Sequence, residues 1–183
     1  MTALPVSLLL AQVSIVIETE AGSIEVTLED KRAPITTANF LRYVDAGDYQ
    51  GGIFHRTVKT SPDNQPQNSI KIDVIQAGVN PGKKSQSLPP VALERTSNTG
   101  LRHRDGTISM ARSGPDTATS DFFLCIGDQP SLDFGGLRNP DAQGFAAFGK
   151  VTRGMDVVRK IQQAPADGQR LNPPVKILRI RRG

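Results

Sequence analysis

GTISMARSGPDTATSDFF, residues Gly106 to Phe123, is the stretch on which the reading of this chain turns. Its ends are strand-like and its middle is not. Thr107 to Ala111, and the run from Asp121 on to Ile126, are short segments rich in apolar and β-branched residues, while Gly114-Pro115 between them punctuates the chain as a turn does. The same grammar extends in both directions. Val13, Ile15 and Ile17 alternate with Ser14 and Glu18, and after Glu20-Ala21-Gly22 the positions Ile24, Val26 and Leu28 alternate with Ser23, Glu25 and Thr27, which predicts a hairpin with one buried face. Further strand candidates are Ile53 to Val58, Ile72 to Gln76, Phe145 to Val151 and Val175 to Ile180. Two segments change to helical spacing. Pro34 stands where a helix begins, Ala38, Leu41 and Val44 recur on one face with Phe40 adjoining, and Gly47 stops it, so a helix is expected from about Pro34 to Ala46. A shorter helix is expected over Met155 to Gln162, where Val157 and Ile161 stand four apart. Many strands and two helices argue for a closed or nearly closed antiparallel barrel.

Composition narrows the class. The chain has 183 residues, the size of one ordinary domain, with 37% hydrophobic and 22% charged residues. Its 17 Gly and 13 Pro suit short strands joined by turns. No stretch approaches the roughly 20 apolar residues of a membrane span. The formal charge of +4 and the crowding of Arg179, Arg181 and Arg182 raise nucleic acid as a partner. Elsewhere the two signs of charge are interspersed and no aromatic ladder accompanies the basic residues, so no nucleic acid is expected. The single cysteine, Cys125, lies in an apolar run and reads as a buried side chain. Residues 1–12 form an N-terminal extension or truncated signal segment before a domain over 13–183. Leu4 to Ala11 has the apolar character of a signal core but lacks a basic start and a small-residue cleavage site, so the periplasm is expected if it is a signal and the cytoplasm otherwise.

Several motifs tempt and fail. His103-Arg104-Asp105 and Asp133-Phe134-Gly135 imitate kinase tripeptides, but Met110 stands where the metal-binding asparagine should be. GVNPGKKS, Gly78 to Ser85, is one residue short of a phosphate loop and lacks its Ser or Thr after the lysine. The two histidines have no ligand-type partners at helical or strand spacing, so no metal site is expected.

What remains is Phe54-His55-Arg56, Gln76-Ala77-Gly78, the block Gly106 to Phe123, Ser131-Leu132-Asp133 and FAAFGKV at Phe145 to Val151. In this order and spacing they resemble the cyclophilin type of peptidyl-prolyl cis-trans isomerase, from about Ile15 to Ile180. Gly135-Gly136 with Asn139-Pro140-Asp141 is similar to bacterial members. The resemblance implies a mainly β fold, a closed eight-stranded antiparallel barrel capped by two α-helices, with the active site on the barrel's outer face. It implies no cofactor, a monomer, and proline-containing peptides and unfolded or folding proteins as partners.

The resemblance also assigns roles. Arg56 is the catalytic residue. Phe54, Val74, Phe123 and Leu132 line the proline pocket with Phe123 as its floor, and strand alternation then turns Phe122 inward. Gln76 orients the arginine and bonds substrate backbone, Ala111 and Arg112 form the edge that pairs with substrate main chain, and His55 supports the pocket side. Three positions depart from the common pattern: Asp121 replaces a glutamine and can hold Arg56 or weaken its field, Phe145 replaces a pocket histidine, and Ser131 replaces a tryptophan that binds cyclosporin, so weak cyclosporin binding is expected. Between Arg56 and Gln76 the chain is about a dozen residues longer than compact members, an insertion near 59–71 whose Lys59 to Ser69 part is expected to be an exposed, mobile loop. The alternative reading is a proline-segment-binding chaperone or scaffold module with little catalytic activity.

Overall fold

The computed structural model describes residues 12–83 and 88–183; the apolar stretch Leu4 to Ala11 and the end of the phosphate-loop look-alike, Lys84 and Ser85, lie outside the described residues. The N-terminal hairpin forms as β1 (Ser14–Thr19) and β2 (Gly22–Leu28), with Ile15 opposite Val26 and Ile17 opposite Ile24. All four side chains are fully buried, as a period-two face against a core requires. Gly22 turns the chain at φ +138°, where a Cβ would stand 2.7 Å from Val157.

Helix α1 (Pro34–Asp45) starts at the expected proline, but its N-cap residue, Ala33, has no side chain with which to satisfy the free backbone donors. Glu94, far along the chain, supplies the cap. Its carboxylate accepts from the Ile35 and Thr36 N–H groups at 3.1 and 2.7 Å and from the Thr36 hydroxyl at 2.6 Å, and its charge sits at the positive end of the helix. Then come β3 (Ile53–Val58), β4 (Val74–Gly78), the single-turn α2 (Thr96–Thr99), β5 (Thr107–Met110), β6 (Phe122–Cys125), β7 (Ala147–Arg153), α3 (Met155–Gln162), β8 (Ala166–Asp167) and β9 (Arg170–Arg182). Expected and observed strands agree in place and differ at their ends. α2 and β8 were not expected, because four and two residues are too short to show a period.

The sheet runs β1-β2-β7-β5-β6-β4-β3-β9, with the β8 stub as a hairpin on β9. Pairing of β1 with β9, Ile17 opposite Ile180, returns it to its start and makes a closed eight-stranded antiparallel barrel. Side chains fill the interior. Phe122 stands edge-on to Phe40 of α1 at 5.5 Å, to Tyr49 at 5.5 Å and to Phe54 at 6.1 Å. A filled barrel leaves its outer wall for ligands, and there a second apolar cluster gathers Val58, Ile72, Val74, Phe123, Cys125 and Leu132. Alternation explains the division: Phe122 and Leu124 point inward, Phe123 and Cys125 outward.

The segment 59–71, expected to be exposed and mobile over Lys59 to Ser69, is exposed over much of that length but is anchored from within. Thr60 to Asp63 are exposed, but Gln65 is fully buried, and Asn64, Asn68 and Ile70 are partly so. Gln65 acts as a substitute ladder: its amide donates to the carbonyls of Lys59 (3.1 Å) and Ile72 (2.8 Å), and its carbonyl accepts from the Ile72 N–H (3.1 Å). Asn64 accepts from the Lys59 N–H and donates to the Thr57 carbonyl, both at 2.9 Å. A composition with no apolar face is anchored by amides that pair the backbone instead.

The basic C-terminal residues meet acids. Arg179 and Arg181 both reach Glu18 at 2.8 Å, and Arg182 reaches Asp45 at 2.7 Å. Among the described residues no helix is long and apolar enough to cross a membrane, and no group of three or more His, Cys, Asp or Glu is placed to hold a metal ion.

Candidate active site

Arg56 owes its place to an irregularity in β3. Phe54 pairs with Ala77 and Arg56 with Gln76, so two steps on β3 answer one on β4 and His55 is the extra residue of a β-bulge. Regular alternation would put Phe54 and Arg56 on one face. The bulge changes the parity, leaving Phe54 in the barrel core against Phe122 and Arg56 on the outer wall beside Gln76 and Val58. Phe54 is therefore not a wall of the cleft, contrary to the role assigned it by resemblance.

The guanidinium is held on three of its donors. Nε and Nη2 donate to Gln169 Oε1 at 3.0 and 2.7 Å, and Nη1 donates to Gln76 Oε1 at 3.1 Å. Gln169 sits in the tight turn joining β8 to β9, and its own amide donates to the Asn64 carbonyl at 3.0 Å. The short unexpected strand thus carries one clamp of the arginine, and the inserted segment steadies that clamp. Burial draws the Arg56 pKa below its ordinary value, but a guanidinium remains cationic throughout the physiological range.

Beside Arg56 opens a cleft of about 420 Å³. Val74, Phe123, Leu132 and Phe145 line it together with Ala111 and Ile72. Phe145 stands edge-on to Phe123 at 5.4 Å and makes an upright wall on its floor. Arg112 also borders the cleft, but its side chain folds away: it donates to the Gly144 carbonyl at 2.9 and 2.6 Å, forks onto the Asp141 carboxylate at 2.8 and 3.0 Å, and lies over the Phe145 ring at 4.8 Å. That arginine braces the wall. Ser131 is not among the lining residues.

Asp121 does not reach Arg56, so neither effect considered for it acts by direct contact. It accepts from the Gln76 amide at 3.3 Å and lies 3.7 Å from His55 Nε2, one residue removed from the guanidinium. Burial raises its carboxyl above the ordinary pKa, and His55 and Gln76 offset this only in part. A Cβ on Gly78 would crowd the Asp121 carboxylate and displace it from this position. His55 and Asp121 flank the cleft and do not line it.

Beneath the floor, the two kinase-like tripeptides meet. His103 Nδ1 lies 2.7 Å from Asp133 Oδ1 and Nε2 lies 2.9 Å from the Ser109 hydroxyl, with the imidazole stacked under Phe123 at 6.0 Å. Burial alone would raise the Asp133 pKa, but the bonds from the His103 ring and backbone, with the charge of Arg102, outweigh it and hold it below the ordinary value. The order Ser, His, Asp is that of a hydrolytic triad, yet Ser109 has no exposed surface and Phe123 covers the ring. The network fixes the floor. Cys125 is likewise closed in, and burial pushes its thiol well above the ordinary pKa, which leaves it unreactive.

Sequence reasoning missed Gln169, Ile72, Asn68 and Arg138, all of which line the cleft or hold Arg56. Gln169 is 113 positions from the arginine it holds, and nothing local marks a glutamine in a turn as a clamp.

The chain is thus a closed antiparallel barrel whose outer wall carries a cleft with an apolar floor, bordered by the side chains of Arg56, Arg112 and Arg138. Residues 14–182 match the family described as Cyclophilin type peptidyl-prolyl cis-trans isomerase/CLD. The chain belongs to that family. It is 39% identical over 166 residues to peptidyl-prolyl cis-trans isomerase A of Dickeya dadantii, covering 88% of this chain and 78% of that one. The Acinetobacter baylyi enzyme is 35% identical over 177 residues, covering 93% and 86%. Among solved structures, a cyclophilin type isomerase of Cryptosporidium parvum superposes with a TM-score of 0.75 at 22% identity, covering 94% of this chain and 98% of that one.

Proposed function

We propose that this isomerase accelerates rotation about X-Pro bonds by seating the proline ring on Phe123 and placing Arg56 against the twisted imide. A peptide C–N bond resists rotation by about 18–20 kcal/mol because the nitrogen lone pair is delocalised into the carbonyl. For X-Pro the two isomers are nearly equal in energy, so only the rate needs help. No bond to carbon is made or broken. The observation that carries the reading is the hydrogen-bond inventory of Arg56: three of its N–H groups are committed to Gln169 and Gln76, and of the five a guanidinium has, one remains on each Nη. Arg56 lines a cleft whose floor is apolar, and in this reading a substrate carbonyl and a nitrogen with a localised lone pair receive the two free donors. Val74, Leu132 and Phe145 keep water from the carbonyl, and their low dielectric strengthens the contact.

The test is an exchange measurement on a proline tetrapeptide by NMR. Arg56→Ala is expected to lower kcat/KM by about two to three orders of magnitude, about 2.7–4 kcal/mol of transition-state stabilisation, with little change in melting temperature. Arg56→Lys is expected to fail equally, because a point charge cannot occupy the fork held by Gln169 and Gln76. Full activity in a folded alanine variant would remove the catalytic role from Arg56, whereas peptide binding without exchange in the wild-type protein would leave a proline-binding module.

A further inference from the structure

A second arginine faces the same cleft, and no acid answers it. Arg138 lines the cleft with Arg56, Asn68 and Asn139, and burial together with the nearby charge of Arg56 draws its pKa below the ordinary value. Its Nη1 donates to Gln65 Oε1 at 3.0 Å and to the Ile70 carbonyl, so the inserted segment fixes where it points. Its Nε and Nη2 have no acceptor among the described residues. The ion pairs of this wall are Arg112 with Asp141 at 2.8 Å and Arg102 with Asp133 at 3.8 Å; among the described residues neither Arg56 nor Arg138 has a carboxylate within pairing distance. Two partly buried cations left without a counter-charge make a site for an anion, since a partly buried charge is stabilised chiefly by an opposite one.

We propose that Arg138 makes this cleft selective for proline segments that carry a carboxylate directly after the proline, either an Asp or Glu side chain or the chain's own C-terminal carboxylate. The proposal rests on the reading of the cleft as the proline site. Arg56 would spend its free donors on the imide, and Arg138 would offer Nε and Nη2 as a fork to the carboxylate beside it.

Two pairs of peptides test it: acetyl-Ala-Ala-Pro-Glu-amide against its Gln counterpart, and acetyl-Ala-Ala-Pro with a free carboxylate against its amide. NMR exchange and titration read kcat/KM and Kd together. The wild-type protein is expected to favour the charged member of at least one pair by about tenfold at low salt, the size of one charge-assisted hydrogen bond. Which pair responds identifies the source of the carboxylate. The preference should fall toward one as ionic strength rises from about 0.01 to 1 M, shrinking the Debye length from about 30 to 3 Å. It should vanish in Arg138→Gln and survive in part in Arg138→Lys, each judged as a ratio within one protein. No preference in either pair, or one undiminished in a folded Arg138→Gln, would overturn the proposal. Absence of exchange with all four peptides would sink the isomerase reading instead, and the ratio of Kd values would still decide this one.

Discussion

Arg56 is positioned by hydrogen bonds to two neutral amides and by no carboxylate among the described residues. That choice has a chemical consequence: a paired acid would hold the guanidinium just as firmly but would cancel part of the field it exerts on the imide. Gln169 takes two of the three bonds, so it should matter for turnover more than for binding. Gln169→Leu is expected to lower kcat about tenfold, about 1.4 kcal/mol, with KM changed much less, because peptide still enters the apolar cleft but meets a guanidinium free to swing. Steady-state kinetics that raised KM and spared kcat would make Gln169 a substrate contact and not a positioning residue.

At the scale of elements, the site is assembled from segments that break regular rules. The bulge at His55 turns Arg56 outward, the stub β8 delivers Gln169, and the 59–71 segment supplies Asn64 behind Gln169 and Gln65 behind Arg138. Gln65 is the keystone of that segment. Its four hydrogen bonds, two donated to carbonyls and two accepted from Ile72 and Arg138, lie at a fully buried position. Gln65→Leu keeps the volume but strands the Ile72 N–H and carbonyl, which should cost about 1–3 kcal/mol in chemical denaturation. Amide hydrogen exchange should quicken over 59–71 while β1 and β2 stay protected. An unchanged midpoint would show that the segment is the loose loop its composition suggests.

The whole molecule depends on the seam where β9 meets β1, since that pairing closes the barrel. Glu18 on β1 receives both Arg179 and Arg181, and their hydrogen bonds lower its pKa from 4.5 to about 2. Arg182 lowers the Asp45 carboxyl in the same way and ties β9 to α1. Both shifts are downward, so their contribution is present above the unfolded-state values and is lost as pH falls through the folded ones. Melting temperature is therefore expected to decline from about pH 4.5 toward pH 2, with that decline made shallower across the whole interval in Glu18→Gln. Identical acid profiles for the two proteins would show that the seam's ion pairs are idle, as exposed pairs often are.

Local pattern was enough for much of this. Alternation at Ile15, Ile17, Ile24 and Val26, the proline that opens α1, and Val157 and Ile161 in α3 each declare their element within a few residues, because the periods of strand and helix are local properties of the chain. The motif residues Arg56, Gln76, Phe123, Leu132 and Phe145 are marked by the family resemblance and not by any period, and they meet at one cleft. What no window of sequence contains is parity and company. A single extra residue in β3 decided that Phe54 faces the core and Arg56 the solvent side, and only pairing with β4 reveals it. Glu94 capping α1, Gln169 clasping Arg56, and His103 meeting Asp133 join residues 30 to 113 positions apart. Such contacts depend on how distant segments meet on one wall, so tertiary structure alone decided that Gln169 joins Gln76 around the arginine.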